Sequence, residues 1–290
     1  MEPKPSPEHG APSAPQDART QWLAIAGGLL AAWLWVVFAQ LLGQTLGGES
    51  IGALSTLYML LLFGPLMPIA LAAGRAARIK VLLAGPRPGA WIATGLATGL
   101  VGLGATILLS WINGGLVSGE LPPGKGGLLA LGFVLTLFQA SVEEVTFRGW
   151  LQPALIARLG SVAGIGMTAA IFMTFHLAGG AREPLSLLAI FLAGVLFGLL
   201  AWRSGGLPAA CAAHFAWNVT EDTGLGLVPN PGTSDLGSLF DLDVSGSALW
   251  GAGPEGLNSS VGTIAVLIAL IVPLLLTAPR AAAAIRANGV

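Results

Sequence analysis

At 290 residues the chain could form one sizeable domain, yet it is 54% hydrophobic and only 9% charged, with a mean hydropathy of +0.79. Soluble domains carry about 25% charged residues, so the composition excludes a water-soluble globule and makes lipid the solvent for most of the chain. The net charge of -1 offers no basic face for nucleic acid, and the lone Cys211 excludes an intramolecular disulfide or a multi-cysteine metal cluster.

Taken in order, residues 1–20 are rich in Pro, Ala and Ser and read as a disordered tail that cannot bury a core. His9 belongs to it. The apolar stretch 21–46 is too long for the core of a signal peptide and is expected to be a retained transmembrane helix. Further spans are expected at 51–73, 90–112, 128–157, 162–177, 184–202, 207–220 and 261–277, several near the ~20 apolar residues that a crossing needs. The expected fold is therefore all-α, a polytopic integral membrane helix bundle of about eight transmembrane helices. Residues 21–279 form one membrane domain, with a polar-motif core at 128–220 and a short tail at 280–290. The 42 glycines suit helices that approach closely in lipid.

Lysine and arginine placement orients the bundle. With eight spans and a cytoplasmic N-terminus, ten basic residues fall inside: Lys4, Arg19, Arg75, Arg78, Lys80, Arg87, Arg158, Arg203, Arg280 and Arg286. Only Lys125 and Arg182 fall outside. The outer segment 221–260 holds six acidic residues and no basic one, and its Gly, Pro, Ser and Asp content suggests a solvated loop rather than a lid. Both termini are expected in the cytoplasm, and the host membrane is expected to be the inner (plasma) membrane of a cell.

The hexapeptide Glu143-Glu144-Val145-Thr146-Phe147-Arg148 breaks the apolar pattern of the fourth span. One ionisable residue near mid-bilayer costs about 2.5–3.5 kcal/mol even on lenient insertion scales. Glu144 and Arg148 are four apart in the favourable acid-before-base order and are expected to neutralise each other. Glu143 is rotated by about 100° from Glu144 and stays unpaired, a carboxylate in apolar surroundings suited to act as a general base. A turn at Leu159-Gly160 should fold the fifth span back, bringing His176 to the depth of Glu143. On the seventh span His214 and Asn218 are four apart and share a face. They should reach the same level if the hairpin of the fourth and fifth spans projects about 10 Å beyond the membrane. That geometry predicts a site opening to the cytoplasm. Phe172, four residues before His176, should pack on its imidazole, and Cys211 reads as a small buried hydrophobe.

Three segments in this order, E-E-x-x-x-R at 143–148, F-x-x-x-H at 172–176 and H-x-x-x-N at 214–218, resemble the CPBP intramembrane proteases. This is the CAAX-processing and bacteriocin-processing (Abi) family, which includes the eukaryotic type II CAAX prenyl endopeptidases. The resemblance spans about 128–220. It implies a membrane-embedded peptide hydrolase in which Glu143 activates water, His176 helps to hold it, and His214 and Asn218 stabilise the oxyanion. Glu144, Arg148 and Phe172 would be supporting residues. Two routes stay open. Glu143, His176 and His214 could ligate zinc or another divalent metal, or the same residues could work without metal; the second is favoured because no other carboxylate would be left as base. The partners implied are the bilayer and a membrane-associated protein or peptide, such as a CAAX-type tail, a leader peptide or a C-terminal sorting anchor. The contrasting reading is a non-catalytic scaffold or a transporter using the same polar cluster. A transporter would favour matched broken helices in a two-fold repeat, and the sequence shows none.

Overall fold

The structure is a computed structural model that describes residues 18–46, 52–120, 126–228, 230–232 and 234–277. The two expected tails lie outside these residues, except for Ala18, Arg19 and Thr20, which already form the start of the first helix. The elements are helices α1 (Ala18–Leu46), α2 (Gly52–Phe63), α3 (Leu66–Ala76) and α4 (Pro88–Asn113), strand β1 (Leu116–Ser118) and helix α5 (Gly126–Glu144). A π-helical segment (Val145–Leu151) continues α5 into α6 (Gln152–Gly179), followed by α7 (Pro184–Ser204) and α8 (Pro208–Val219). A second π-helical turn (Thr220–Gly224), strand β2 (Leu242–Val244) and helix α9 (Val261–Leu276) complete the order.

The all-α reading holds, apart from one two-stranded antiparallel ribbon that pairs Leu116 with Val244 and Ser118 with Leu242. Among the described residues, five stretches are long and apolar enough to cross a membrane: Ala18–Gln44, Leu54–Ala76, Pro88–Asn113, Gly126–Gly179 and Pro184–Ser204. α9 is apolar but shorter, and α8 has only 12 residues. The spans expected from sequence are thus uneven in the structure. The second divides into α2 and α3 at Gly64-Pro65, because proline cannot donate to the helical ladder. The stretch Gly126–Gly179 is two arms, not one rod: Gly160, at φ 81 and ψ 167, leaves the helix and reverses the chain where the sequence expects a turn. Prolines at the first positions of α4, α7 and α8 start those helices.

Close helix approach holds the bundle together. A Cβ at Gly95 would meet the Ala209 carbonyl oxygen at 2.3 Å, and one at Gly99 would meet that of Ala213 at 2.5 Å. α4 and α8 therefore touch backbone to backbone, which lipid-embedded helices achieve only with small residues. Across the bundle, Arg148 and Gln152 donate to the carbonyls of Gly194 and Gly198, each at 3.0 Å. Both pairs are four residues apart, so these two bonds fix the register of the hexapeptide helix against α7.

The two ends of the bundle differ in chemistry. At one end, Gln21 donates to the Ala77 carbonyl and accepts from Arg158, tying α1 to α3 and to the α6 hairpin. There the linker 79–87 is stitched down: Leu82 N–H donates to Gly149 O at 2.9 Å, and Leu207 N–H donates to Leu83 O at 3.2 Å. At the other end lie the β ribbon and the acidic segment 221–260. That segment is not the solvated loop expected from its composition. Leu227 and Leu257 are fully buried and Val244 nearly so. Asn230 exchanges hydrogen bonds with Val244 and donates to Gly251 and Gly253. Glu255 accepts from the Arg182 and Glu183 amides at the start of α7. The segment is a built cap, in which Asn230 and Glu255 bond backbone groups that folding brings close.

Candidate active site

The π-helical segment that follows Glu144 is buried at every position, and such widened turns occur frequently at functional sites. Its arginine makes the contact expected from spacing: Arg148 Nη1 lies 3.0 Å from Glu144 Oε1, both side chains being fully buried. The guanidinium also sits 4.4 Å from the Phe172 ring centroid, a cation–π contact that desolvation strengthens. Phe172 in turn packs on His176 at 4.4 Å, as its spacing predicts.

Glu144 does more than neutralise Arg148. Its Oε1 also lies 2.9 Å from His214 Nδ1. An ionised carboxylate only accepts, so that ring nitrogen carries the proton. The ring is further stacked on Phe197 at 4.8 Å. Held this way, His214 turns Nε2 toward Glu143 Oε2, 4.0 Å away, beyond hydrogen-bond range. The other Glu143 oxygen accepts from Gln139 at 3.3 Å, and Oε2 is buried with no hydrogen-bond partner among the described residues. Glu144 Oε2 is likewise buried without a hydrogen-bond partner among the described residues, so the two glutamates differ in that Glu144 pairs with Arg148 and His214 through Oε1 whereas Glu143 meets only Gln139 at hydrogen-bond distance.

A cavity of about 370 Å³ opens beside His214, lined by Phe172, His176, His214, Asn218, Gln139 and the first two-thirds of α7 among others, with Glu143 not on its wall. His176 and Asn218 thus reach the space that His214 borders. The His176 Nδ1 lies 3.0 Å from the Phe172 carbonyl, which leaves Nε2 for the cavity. Glu143, His176 and His214 are not gathered as metal ligands: among the described residues no group of three His, Cys, Asp or Glu side chains is placed to hold an ion.

The cavity's other walls include Glu221, Asp222, Val228 and Asn258 of the cap with Thr263 and Leu267 of α9, on the side away from the hairpin turn at Gly160. Toward the hairpin end the space is filled by Leu151, Leu155, Leu200, Ala201, Ala209 and Ala210, each at most 1% exposed.

Three lining residues went unnoticed in the sequence. Gln139 stands four before Glu143, and Glu221 seven after His214, so both had helical spacing to announce them. Asn258, which donates to both Glu221 oxygens at 3.1 and 3.2 Å, is too distant in sequence for any periodicity to mark. Burial pushes the Glu221 carboxyl up to about 7 and that of Asp222 up to about 6. Both folded-state values are raised, so the native state binds more protons than the unfolded chain between the ordinary carboxylate range and neutrality. Stability must then fall as pH rises through that window. The thermal midpoint in detergent is expected to drop from pH 5 to pH 7.5, and Glu221→Gln, which keeps an acceptor for Asn258, should flatten part of the drop. An unchanged slope in Glu221→Gln refutes this.

Fold and site together define a lipid-embedded helical bundle with a buried carboxylate–histidine centre. Residues 125–220 match the family model of the Rce1-like proteins, described as Type II CAAX prenyl endopeptidase Rce1-like, and this supports assignment to the CAAX protease family. The matched segment contains all three motifs and every residue of the Glu143, Glu144, Arg148, His176, His214 and Asn218 set. No curated protein and no solved structure matches the chain significantly.

Proposed function

We propose that the protein is an intramembrane endopeptidase that hydrolyses a peptide bond in a membrane-associated protein or peptide, with Glu143 activating the water. The observation that carries this is the free, buried Glu143 oxygen facing an oriented His214 across 4.0 Å, with His214 itself on the cavity wall. A base needs hydrogen-bond reach to its water, and such contacts are commonly long before substrate binds. In the reaction the Glu143 carboxylate takes a proton from water as the oxygen attacks the peptide carbonyl carbon. His176, on the same cavity, helps to hold that water. The carbonyl becomes an oxyanion, which the Asn218 amide and His214 stabilise. Glu143 then delivers its proton to the leaving amine, and the C–N bond breaks.

Glu144 and Arg148 support this centre without touching substrate. Glu144 fixes the His214 ring by its Nδ1, and Arg148 holds Glu144 and α7. We read the bundle as eight crossings, in which the α2–α3 pair, the two arms of α5–α6 and the short α8 each traverse once, with both termini in the cytoplasm of a plasma membrane. The uneven basic residues support that orientation.

The test is comparative membrane proteomics of cells with the parent protein and with Glu143→Ala. A membrane-anchored protein should accumulate uncleaved in the variant, and identical proteomes would sink the proteolytic reading. Cleavage by the purified protein should survive chelation and metal stripping, because Glu143 as a metal ligand would leave no other carboxylate to act as base. Activity lost on stripping and restored by zinc would reverse that part.

A further inference from the structure

The geometry points to a substrate taken from the membrane face opposite the cytoplasm: a membrane-anchored polypeptide whose scissile bond lies in a segment already translocated across the bilayer. This inference rests on the proteolytic reading and names its substrate class.

Apart from Thr136 and Gln139 in the second half of α5, the cavity walls come from the cap-side parts of their helices. α6 contributes Phe172 and His176, just before its left-handed cap at Gly180. α7 contributes Ser186 to Phe197 from its first two-thirds, α8 contributes His214 to Asn218 from its last half, and α9 contributes Thr263 and Leu267 from its first. The cap closes the remaining side, where Val228, 38% exposed, marks the mouth.

Below the site there is no path. From His214 to the start of α8 at Pro208 is six residues, about 9 Å of helix, and the side chains packed around that turn are the fully buried leucines and alanines already named. Beneath them the linker 79–87 lies across the hexapeptide helix and the α7–α8 turn. A Cβ at Gly85 would meet the Ser204 carbonyl at 2.4 Å, and one at Gly149 would touch Val81. A peptide from that side would have to displace both layers.

Charge then tells the two faces apart. Arg19, Arg75, Arg78, Lys80, Arg87, Arg158 and Arg203 gather at the closed end, while the cap carries six acidic residues and no basic one. Basic residues stay cytoplasmic. The closed end is therefore the inner face and the mouth is the outer one. A cavity of about 370 Å³ is at the small end of ligand-pocket sizes and admits a short extended stretch, not a folded domain. A cytoplasmic tail does not reach it. A translocated segment next to its own membrane anchor does.

Thiol accessibility tests the direction of opening independently of catalysis. In a Cys211→Ser background, Val228→Cys at the mouth and Ala193→Cys on the α7 wall would be treated with a small, membrane-impermeant, positively charged methanethiosulfonate. Right-side-out and inside-out membrane vesicles would be compared, with Arg87→Cys as the inner-face control. The expected result is modification of both cavity cysteines at least ten-fold faster in right-side-out vesicles, with the reverse for Arg87→Cys. Equal or faster modification of the cavity cysteines in inside-out vesicles, or none in right-side-out ones, overturns the inference. The Glu143→Ala proteome answers separately. If a protein accumulates uncleaved but its cut site is cytoplasmic, proteolysis stands and the outward opening falls.

Discussion

Replacing Arg148 by alanine is expected to lower stability by about 3–5 kcal/mol, the scale on which removing one partner of a buried ion pair acts. Arg148 is fully buried and serves three neighbours at once. It donates to Glu144 at 3.0 Å and to the Gly194 carbonyl at 3.0 Å, and it lies 4.4 Å from the Phe172 ring centroid. Alanine leaves the fully buried Glu144 carboxylate with only His214 to face it. It also cuts one of the two ties between the hexapeptide helix and α7. Arg148→Lys should recover only part of the loss, since an ammonium lacks the planar fork that reaches Glu144 and Gly194 together. Thermal unfolding in mild detergent measures both variants. If Arg148→Ala unfolds at the parental temperature, the pair is not what holds this helix.

The charged hexapeptide announced the site because lipid makes unpaired charge so costly that spacing alone sorts the pair from the free group. Glu144 with Arg148 was legible for that reason, and so were the Gly160 turn and the convergence of His214 on the hexapeptide. The second role of Glu144 was not. Its bond to His214 joins residues 70 apart in sequence, and no local period encodes which of two adjacent glutamates an imidazole will meet. The cap was misjudged for a related reason. Its Asn, Asp, Ser and Gly residues look solvated in composition, but Asn230 and Glu255 spend their polar groups on backbone amides and carbonyls brought close only by folding.

Replacing Glu143 by glutamine is expected to reduce kcat by about 10²–10⁴-fold, the usual contribution of a positioned general base, while leaving the fold intact. The side chain is nearly isosteric, and its carbonyl oxygen can still accept from Gln139, as Oε1 does at 3.3 Å. What it loses is the ability to take a proton from water. KM should therefore change little, and the unfolding temperature should match the parent or exceed it, since a buried oxygen without a hydrogen-bond partner no longer bears charge. Glu144→Gln should behave differently. Its fully buried carboxylate serves Arg148 and His214 together, so the neutral amide should cost stability and activity in one step. The contrast between the two adjacent glutamates is the discriminating measurement. Purified variants assayed on a substrate found by the proteomic comparison would supply kcat and KM, and detergent melts would supply stability. If Glu143→Gln keeps parental turnover while Glu144→Gln abolishes it without loss of stability, the base has been assigned to the wrong carboxylate.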